Sequence, residues 1–311
     1  MRVLVTGSDG LAGNSLRRVC EGSDHELFFA RRKDGDLRYF NEVVHLFHNF
    51  RPDCVINCAA RVGGIQANLD LASDFLYDNL LINANVLKAA VARKVRRLIA
   101  FSSVCVFPDG LDLLTEDRMH DGPIYAANAE YGYAKRMIDS HITGIKKQYG
   151  DYNYMSIIPG NIYGPNDMHD IAHGHCVPSL LHKFYLAEKS REAVTIWGDG
   201  SSKREFLYID DLSRAVLGLL EVDMPQRLIV SGEKAITIRD LIEVIVRVTG
   251  FSGEVVWDTS KPNGQHSRPT DKTRFNEYFP NFKYTDLYEG IGRTWNWFVD
   301  NYDSARLEYA K

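Results

Sequence analysis

The first thirteen residues, Met1 to Gly13, read MRVLVTGSDGLAG, and the way they break decides the fold. Arg2 to Thr6 is a short apolar, β-branched run. It stops at Gly7, and Gly7, Gly10 and Gly13 form a G-x-x-G-x-x-G turn that opens an apolar helical pattern at Leu11, Leu16 and Val19. In the order strand, glycine turn, helix, each glycine has a task. The first takes the positive φ of a tight turn, the second lets a pyrophosphate approach the backbone, and the third lets helix and strand pack closely. Free N–H groups at the positive end of the helix dipole would hold that pyrophosphate. The stretch therefore predicts a dinucleotide site.

Working outward, Glu26 to Ala30 reads as a second strand, and Arg31, Arg32 and Lys33 follow it. A carboxylate there would take the ribose hydroxyls of NAD, whereas arginine suits the extra phosphate of NADP, so the cofactor expected is NADP(H). Asp36 and Leu37 are placed beside its adenine. Helix 40–49 leads to strand Cys54–Cys58, which ends in Ala59 and Ala60, small enough to lie against a cofactor. Over 69–93 a long helical pattern spreads Phe75, Leu76, Leu80, Ile82, Val86, Leu87 and Ala90 across a wide apolar face. Such width predicts burial on both sides, hence a homodimer through helices 69–93 and 130–148.

Strand 97–101, helix 130–148 and strand 153–158 continue the alternation, which predicts an α/β protein with a doubly wound parallel sheet of the Rossmann type. Helices at 178–188, 210–221, 237–249 and 286–299 follow, interleaved with short strands near 194–197, 205–209, 227–230 and 254–257. Thr237 with Asp240 caps one of them. The expected division puts 1–160 plus 203–232 in the dinucleotide-binding domain. Residues 161–202 plus 233–311 form a smaller lobe over the carboxyl edge of the sheet, where the ligand should lie.

The bulk properties narrow the partners. The chain has 311 residues, is 45% apolar and carries a net charge of −4. Its longest basic run is Arg31-Arg32-Lys33, which excludes a nucleic-acid footprint. Cys20, Cys54, Cys58, Cys105 and Cys176 are odd in number and lack paired metal spacing, as expected of reduced thiols in the cytoplasm. Cys54 and Cys58, on one strand, read as small buried side chains. No tripartite leader opens the sequence and no apolar stretch approaches ~18 residues, so a soluble, unprocessed protein off the membrane is expected.

Tyr131 and Lys135 form a Y-x-x-x-K. At the start of a helix after the fourth strand, positions i and i+4 put phenol and ammonium on one face. A nearby cation favours the phenolate, and a phenol so placed can give a proton to a carbonyl oxygen during reduction. Ser103, at the mouth of strand 97–101, could bond the same oxygen. His169, His173 and His175 lack the carboxylate or cysteine that would complete a metal shell, so no metal is expected.

The run Ser103–Pro108 (SVCVFP), the segment YGYAKRMID from Tyr131 and the glycine turn together resemble the extended short-chain dehydrogenases/reductases. More narrowly, five further stretches resemble the GDP-L-fucose synthase family. These are Arg61–Asn68 (RVGGIQAN), NIYGPNDMHDIAHGH from Asn161 to His175, Trp197–Gly200, Arg204-Glu205-Phe206 and Thr259–Gly264 (TSKPNG). The resemblance implies NADPH-dependent 3,5-epimerisation and 4-reduction of a GDP-4-keto-6-deoxy sugar, with another GDP-4-keto sugar such as a GDP-heptose as the alternative. It implies a reductase triad of Ser103, Tyr131 and Lys135, an epimerisation base Cys105 and an acid His175. Asn161 and His175 would lie near sugar and nicotinamide. Val62, Gly63, Lys183, Trp197, Arg204 and Arg268 would hold the substrate.

Three positions depart from the family pattern. Asp9 stands where some members carry an arginine for the NADP phosphate. Gly160 replaces a usual threonine and Val104 a usual hydroxyl residue, changes expected to leave room for a different sugar.

Overall fold

The computed structural model describes residues 1–150, 152–261 and 268–309. Residues 262–264 of the TSKPNG motif lie outside them. The first half alternates as the pattern predicts: β1 (Arg2–Thr6), α1 (Leu11–Val19), β2 (Glu26–Ala30), α2 (Phe40–Phe50), β3 (Cys54–Asn57), α3 (Ile65–Asp70), α4 (Ala72–Ala92), β4 (Arg97–Phe101), α5 (Ala129–Tyr149) and β5 (Asn153–Pro159). The second half holds β6 (Asn161–Tyr163), α6 (Cys176–Ser190), β7 (Val194–Trp197), β8 (Lys203–Tyr208), α7 (Ile209–Leu219), β9 (Arg227–Val230), β10 (Ala235–Thr237), α8 (Ile238–Thr249), β11 (Val255–Asp258), α9 (Thr273–Tyr278) and α10 (Leu287–Asp300).

Six strands form one parallel sheet in the order β2-β1-β3-β4-β5-β9. Both faces are covered, so its strands are apolar at successive positions rather than alternating. Val3, Val5, Ile56 and Ile99 point into the layer of α1 and α7. Leu4, Val55, Leu98 and Ala100 point into the layer of α2, α4 and α5. The sequence order reverses direction around β1 and β3, and the chain leaves their carboxyl ends at Gly7 and Ala59, the switch point where such sheets bind ligands.

Three features differ from the pattern-based expectation. The helix over 69–93 is two: Leu71 (φ −128°, ψ 30°) ends α3 and starts α4, so Asn68 of α3 donates to the Gly63 and Gly64 carbonyls while Phe75 of α4 enters the core. Strand β8 pairs with β6 and β10 in a separate three-stranded sheet, across the expected 203 boundary. Its alternation explains why: Leu207 joins the main core while Phe206 and Tyr208 pack on Tyr163 in the smaller lobe. Finally, 273–284 returns to the dinucleotide half, where Phe275 is buried among Phe279, Phe282 and Tyr284. Cys54 is buried and Cys58 partly so, and burial pushes both thiols up.

Candidate active site

The glycine turn is shaped as its spacing requires. Gly7 has φ 69°, and a Cβ on it would stand 2.6 Å from the Ala59 Cα. A Cβ on Gly13 would stand 2.4 Å from the Ser8 Cα, so both are closed by backbone. At Gly10 a Cβ would meet the Gly7 carbonyl at 3.3 Å and nothing nearer, which leaves that side of the turn open. Gly10 is also the N-cap of α1 and supplies no side-chain acceptor, and the Ser8 hydroxyl is buried without a partner. Unfilled donors around an uncrowded glycine suit a pyrophosphate.

Beyond β2, Arg31 and Arg32 are both well exposed. Arg32 pairs with Asp36 at 3.2 Å, and Arg38 grips the same carboxylate at 2.6 Å. Bonding from Arg38, outweighing partial burial, holds the Asp36 carboxyl down at about 2. The charge of Asp36 is thus answered within its own turn. Leu37 is buried, its carbonyl accepting from Asn85.

At the end of β4, Ser103 caps a single 3-10 turn (104–106) by accepting the Cys105 N–H at 3.2 Å. Its hydroxyl faces the Tyr131 phenol and the Cys105 thiol, so one oxygen lies beside both. Burial pushes both the phenol and the thiol above their ordinary values. For the thiol, Ser103, the charge of Arg268 and a bond from Asn128 pull the other way. Lys135, one turn along α5, is buried and holds its ammonium 5.9 Å from the Tyr131 ring centroid. It donates to the Phe101 carbonyl at 2.7 Å, and burial brings it down to about 8.

His175 is the N-cap residue of α6, its Nδ1 facing Asp167 Oδ1 at 3.8 Å. No hydrogen bond joins it to Cys105 among the described residues. Arg268 lies near Cys105 and Arg204, and Arg204 and Lys183 lie near Cys176, the residue after His175. Lys183 and Lys261 lie 5.9 and 5.8 Å from the exposed Trp197 ring. Asn161 bonds the Glu205 carbonyl at 3.2 Å. The other two histidines turn elsewhere. His169 is stacked on Phe298 at 4.0 Å, and His173 pairs with Asp70 at 3.1 Å.

Two residues join the site without a sequence signal. Asn128 caps α5 beside the Cys105 thiol. Tyr309 stacks on Phe75, which meets Tyr131 edge-on, and its hydroxyl faces Arg61. Its ring also abuts Gly63, whose neighbour Gly64 donates its N–H to the His173 carbonyl at 2.6 Å, while Val62 stays exposed. Gly160 overturns an expectation. A Cβ there would stand 2.6 Å from the Ser231 hydroxyl, which is tied to Glu205 at 2.7 Å. The room a threonine would use is occupied by another side chain, and Val104 packs toward Val106, Phe107 and Ile158. Neither substitution opens a larger pocket.

A parallel sheet with a glycine turn and a serine, tyrosine and lysine at its carboxyl edge defines an extended short-chain dehydrogenase/reductase. Residues 3–230 match the NAD dependent epimerase/dehydratase family. The chain belongs to that family and, within it, to the GDP-L-fucose synthases. It is 35% identical to the GDP-L-fucose synthase of Dictyostelium discoideum, covering 98% of this chain and 97% of the relative. It is 31% identical to the GDP-L-colitose synthase of Yersinia pseudotuberculosis, covering 96% and 98%. Its backbone superimposes on a GDP-L-fucose synthetase of Naegleria fowleri bound to NADP with a TM-score of 0.91 at 32% identity, covering 98% and 94%.

Proposed function

We propose that this protein converts GDP-4-keto-6-deoxy-D-mannose to GDP-L-fucose, by 3,5-epimerisation and then NADPH-dependent reduction of the 4-keto group. The observation that carries this reading is that Ser103 caps the turn bearing Cys105 and lies beside the Tyr131 phenol, because a reducing centre and a proton-transfer centre can then share one carbonyl oxygen. The glycine turn and Arg31 would hold the cofactor, and NADPH when bound supplies the hydride for carbon 4.

In the epimerase half, the Cys105 thiolate removes the proton next to the ketone, and the electron pair moves onto the carbonyl oxygen. Ser103 and Tyr131 hold that enolate oxygen. A raised thiol is a stronger base toward a carbon-bound proton, and Arg268 and Asn128 steady the thiolate as it forms. His175 returns a proton to the opposite face, and the sequence repeats at the second carbon. In the reductase half, Tyr131 gives its proton to the oxygen and the Lys135 ammonium, close to its ring, offsets the phenolate charge. Lys183, Trp197, Arg204 and Arg268 suit a nucleoside diphosphate, two phosphates against cations and a base against an exposed indole.

The dinucleotide half carries the cofactor and the smaller lobe the nucleotide sugar. In this reading two copies associate through the outer faces of α4 and α5, and the protein works in a reducing compartment, the cytoplasm, where its unpaired thiols stay reduced. Among the described residues no helix is long and apolar enough to cross a membrane. The occupied space at Gly160 favours the deoxyhexose over a heptose. Turnover with NADPH in heavy water tests the assignment: product bearing deuterium at carbons 3 and 5 is expected, and product without it removes the epimerase half.

A further inference from the structure

The amino edge of the six-stranded sheet, opposite the glycine turn, holds a cavity of about 650 Å³ that the reaction does not use. The C-terminal ends of α2 and α4 and the starts of β3 and β4 supply its wall, and His48, Arg51, Arg93, Lys94, Arg96 and Arg97 are among the residues that line it. The one acid among its described lining residues is Asp53, whose carboxylate already accepts the Arg2 N–H at 2.8 Å. Among the described residues no carboxylate pairs with Arg51, Arg93 or Lys94. Arg97 gives one guanidinium nitrogen to the carbonyls of Leu219 and Val222, while its Nε is buried without a partner.

Helix dipoles account for part of this charge. Arg51 and Arg93 are the C-cap residues of α2 and α4, and a helix end presents about half a negative charge. Two such ends and Asp53 together fall short of the four cations Arg51, Arg93, Lys94 and Arg97, in a chain whose net charge is −4. Arg51 and Lys94 also hold left-handed backbone, at φ 52° and 57°. A glycine would turn there at no cost, whereas a side chain costs roughly 1 kcal/mol. Two strained positions on one wall therefore both carry cations.

We infer that this cavity is a second anion site, taking a compact anion with two linked phosphates, either inorganic or on a nucleotide. Arg51, Arg93 and Lys94 bind the phosphate oxygens, and the nearby charge of Arg97 adds to the attraction without direct contact. Lying on the far edge of the sheet, the site does not compete with the glycine turn.

The test is calorimetric titration of the intact protein with inorganic pyrophosphate, and separately with ADP, after saturation with NADP⁺ and GDP to fill the phosphate sites of the active centre. Saturable binding is expected that weakens with added salt. It should weaken at least tenfold in R93Q/K94Q and in R51Q alone, with NADP⁺ affinity unchanged in both. Tighter binding of ADP identifies a nucleotide, and equal or tighter binding of pyrophosphate an inorganic ligand. Absence of binding by either anion, or binding undiminished in folded variants, overturns the site.

Discussion

Lys135 holds a charge where the fold on its own would favour none. Its ammonium is buried, with one bond to the Phe101 carbonyl, and burial lowers its pKa from 10.5 to about 8. The unfolded chain binds this proton more tightly, so the cost of burial is complete below about pH 8 and disappears as pH rises toward 10.5. That difference amounts to about 3 kcal/mol at most. Lys135→Met removes the charge but orphans a carbonyl, a loss of about 1–3 kcal/mol that does not vary with pH. In urea unfolding of the cofactor-free protein, wild type should therefore gain on the variant between pH 8 and 10.5. A constant gap would contradict the burial argument, and the variant should not oxidise NADPH. Two neighbours separate the half-reactions. Cys105→Ser should abolish deuterium incorporation at carbons 3 and 5 while NADPH binds as before. Tyr131→Phe should slow NADPH oxidation by roughly 10²–10⁴-fold. Wild-type exchange in the first, or wild-type oxidation in the second, would reassign them. Tyr131 and Lys135 were legible in the sequence because one helical turn joins them. Asn128 and Tyr309 were not, because only tertiary packing brings them to Cys105 and Tyr131.

At the scale of elements, the loop over 166–175 is what delivers His175, and it is held from beneath and from the side. Beneath, His169 is wholly buried against Phe298, its Nδ1 facing the Asp167 carbonyl, with His182 and Arg306 also near. Burial lowers it to about 4. The unfolded imidazole titrates near 6.5, so this support is complete above that pH and is lost as pH falls toward 4. The loss is about 3 kcal/mol at most. A wild type that unfolds with no more acid sensitivity than His169→Phe would contradict this. From the side, the C-terminal segment bridges Met168 to Arg306, the His169 N–H bonds the Arg306 carbonyl at 2.8 Å, and the Tyr309 N–H bonds Asp170 at 2.8 Å. Removal of residues 306–311 should cost epimerisation more than NADPH oxidation, because His175 hangs on this loop whereas Lys135 is anchored in the sheet layer. Equal losses would show a general collapse. None of this was legible along the chain, since a segment without periodicity carries no pattern to read. The same limit hid the break at Leu71, where apolar spacing continues although the helix does not. Strand β8 was legible as a strand, but its two cores became visible only once Leu207 and Tyr208 were seen to face opposite lobes.

At the scale of the whole molecule, the parallel sheet was legible because twofold burial leaves continuous apolar strands between amphipathic helices. The proposed association of copies was legible only as an excess of apolar surface. In the structure α4 and α5 pack side by side on one face of the sheet, their inner residues Val86, Leu87, Ala90, Ile138 and Ile142 buried in that layer. Their outer faces keep Tyr77 64% exposed, Met137 51% and Tyr133 42%. Large apolar side chains clustered on two adjacent long helices are costly to leave in water, and a second copy related by a twofold axis would cover them as a four-helix layer. A stable interface of this kind buries about 1,200–2,000 Å² in total. Wild type should therefore sediment as a dimer at micromolar concentration. Tyr77→Lys combined with Met137→Glu places a charge on each helix at the centre of that face and should give a folded monomer. Neither side chain contacts the glycine turn or Ser103, so the monomer should bind NADPH with unchanged affinity. A monomeric wild type, or a double variant that stays dimeric, would move the interface away from α4 and α5.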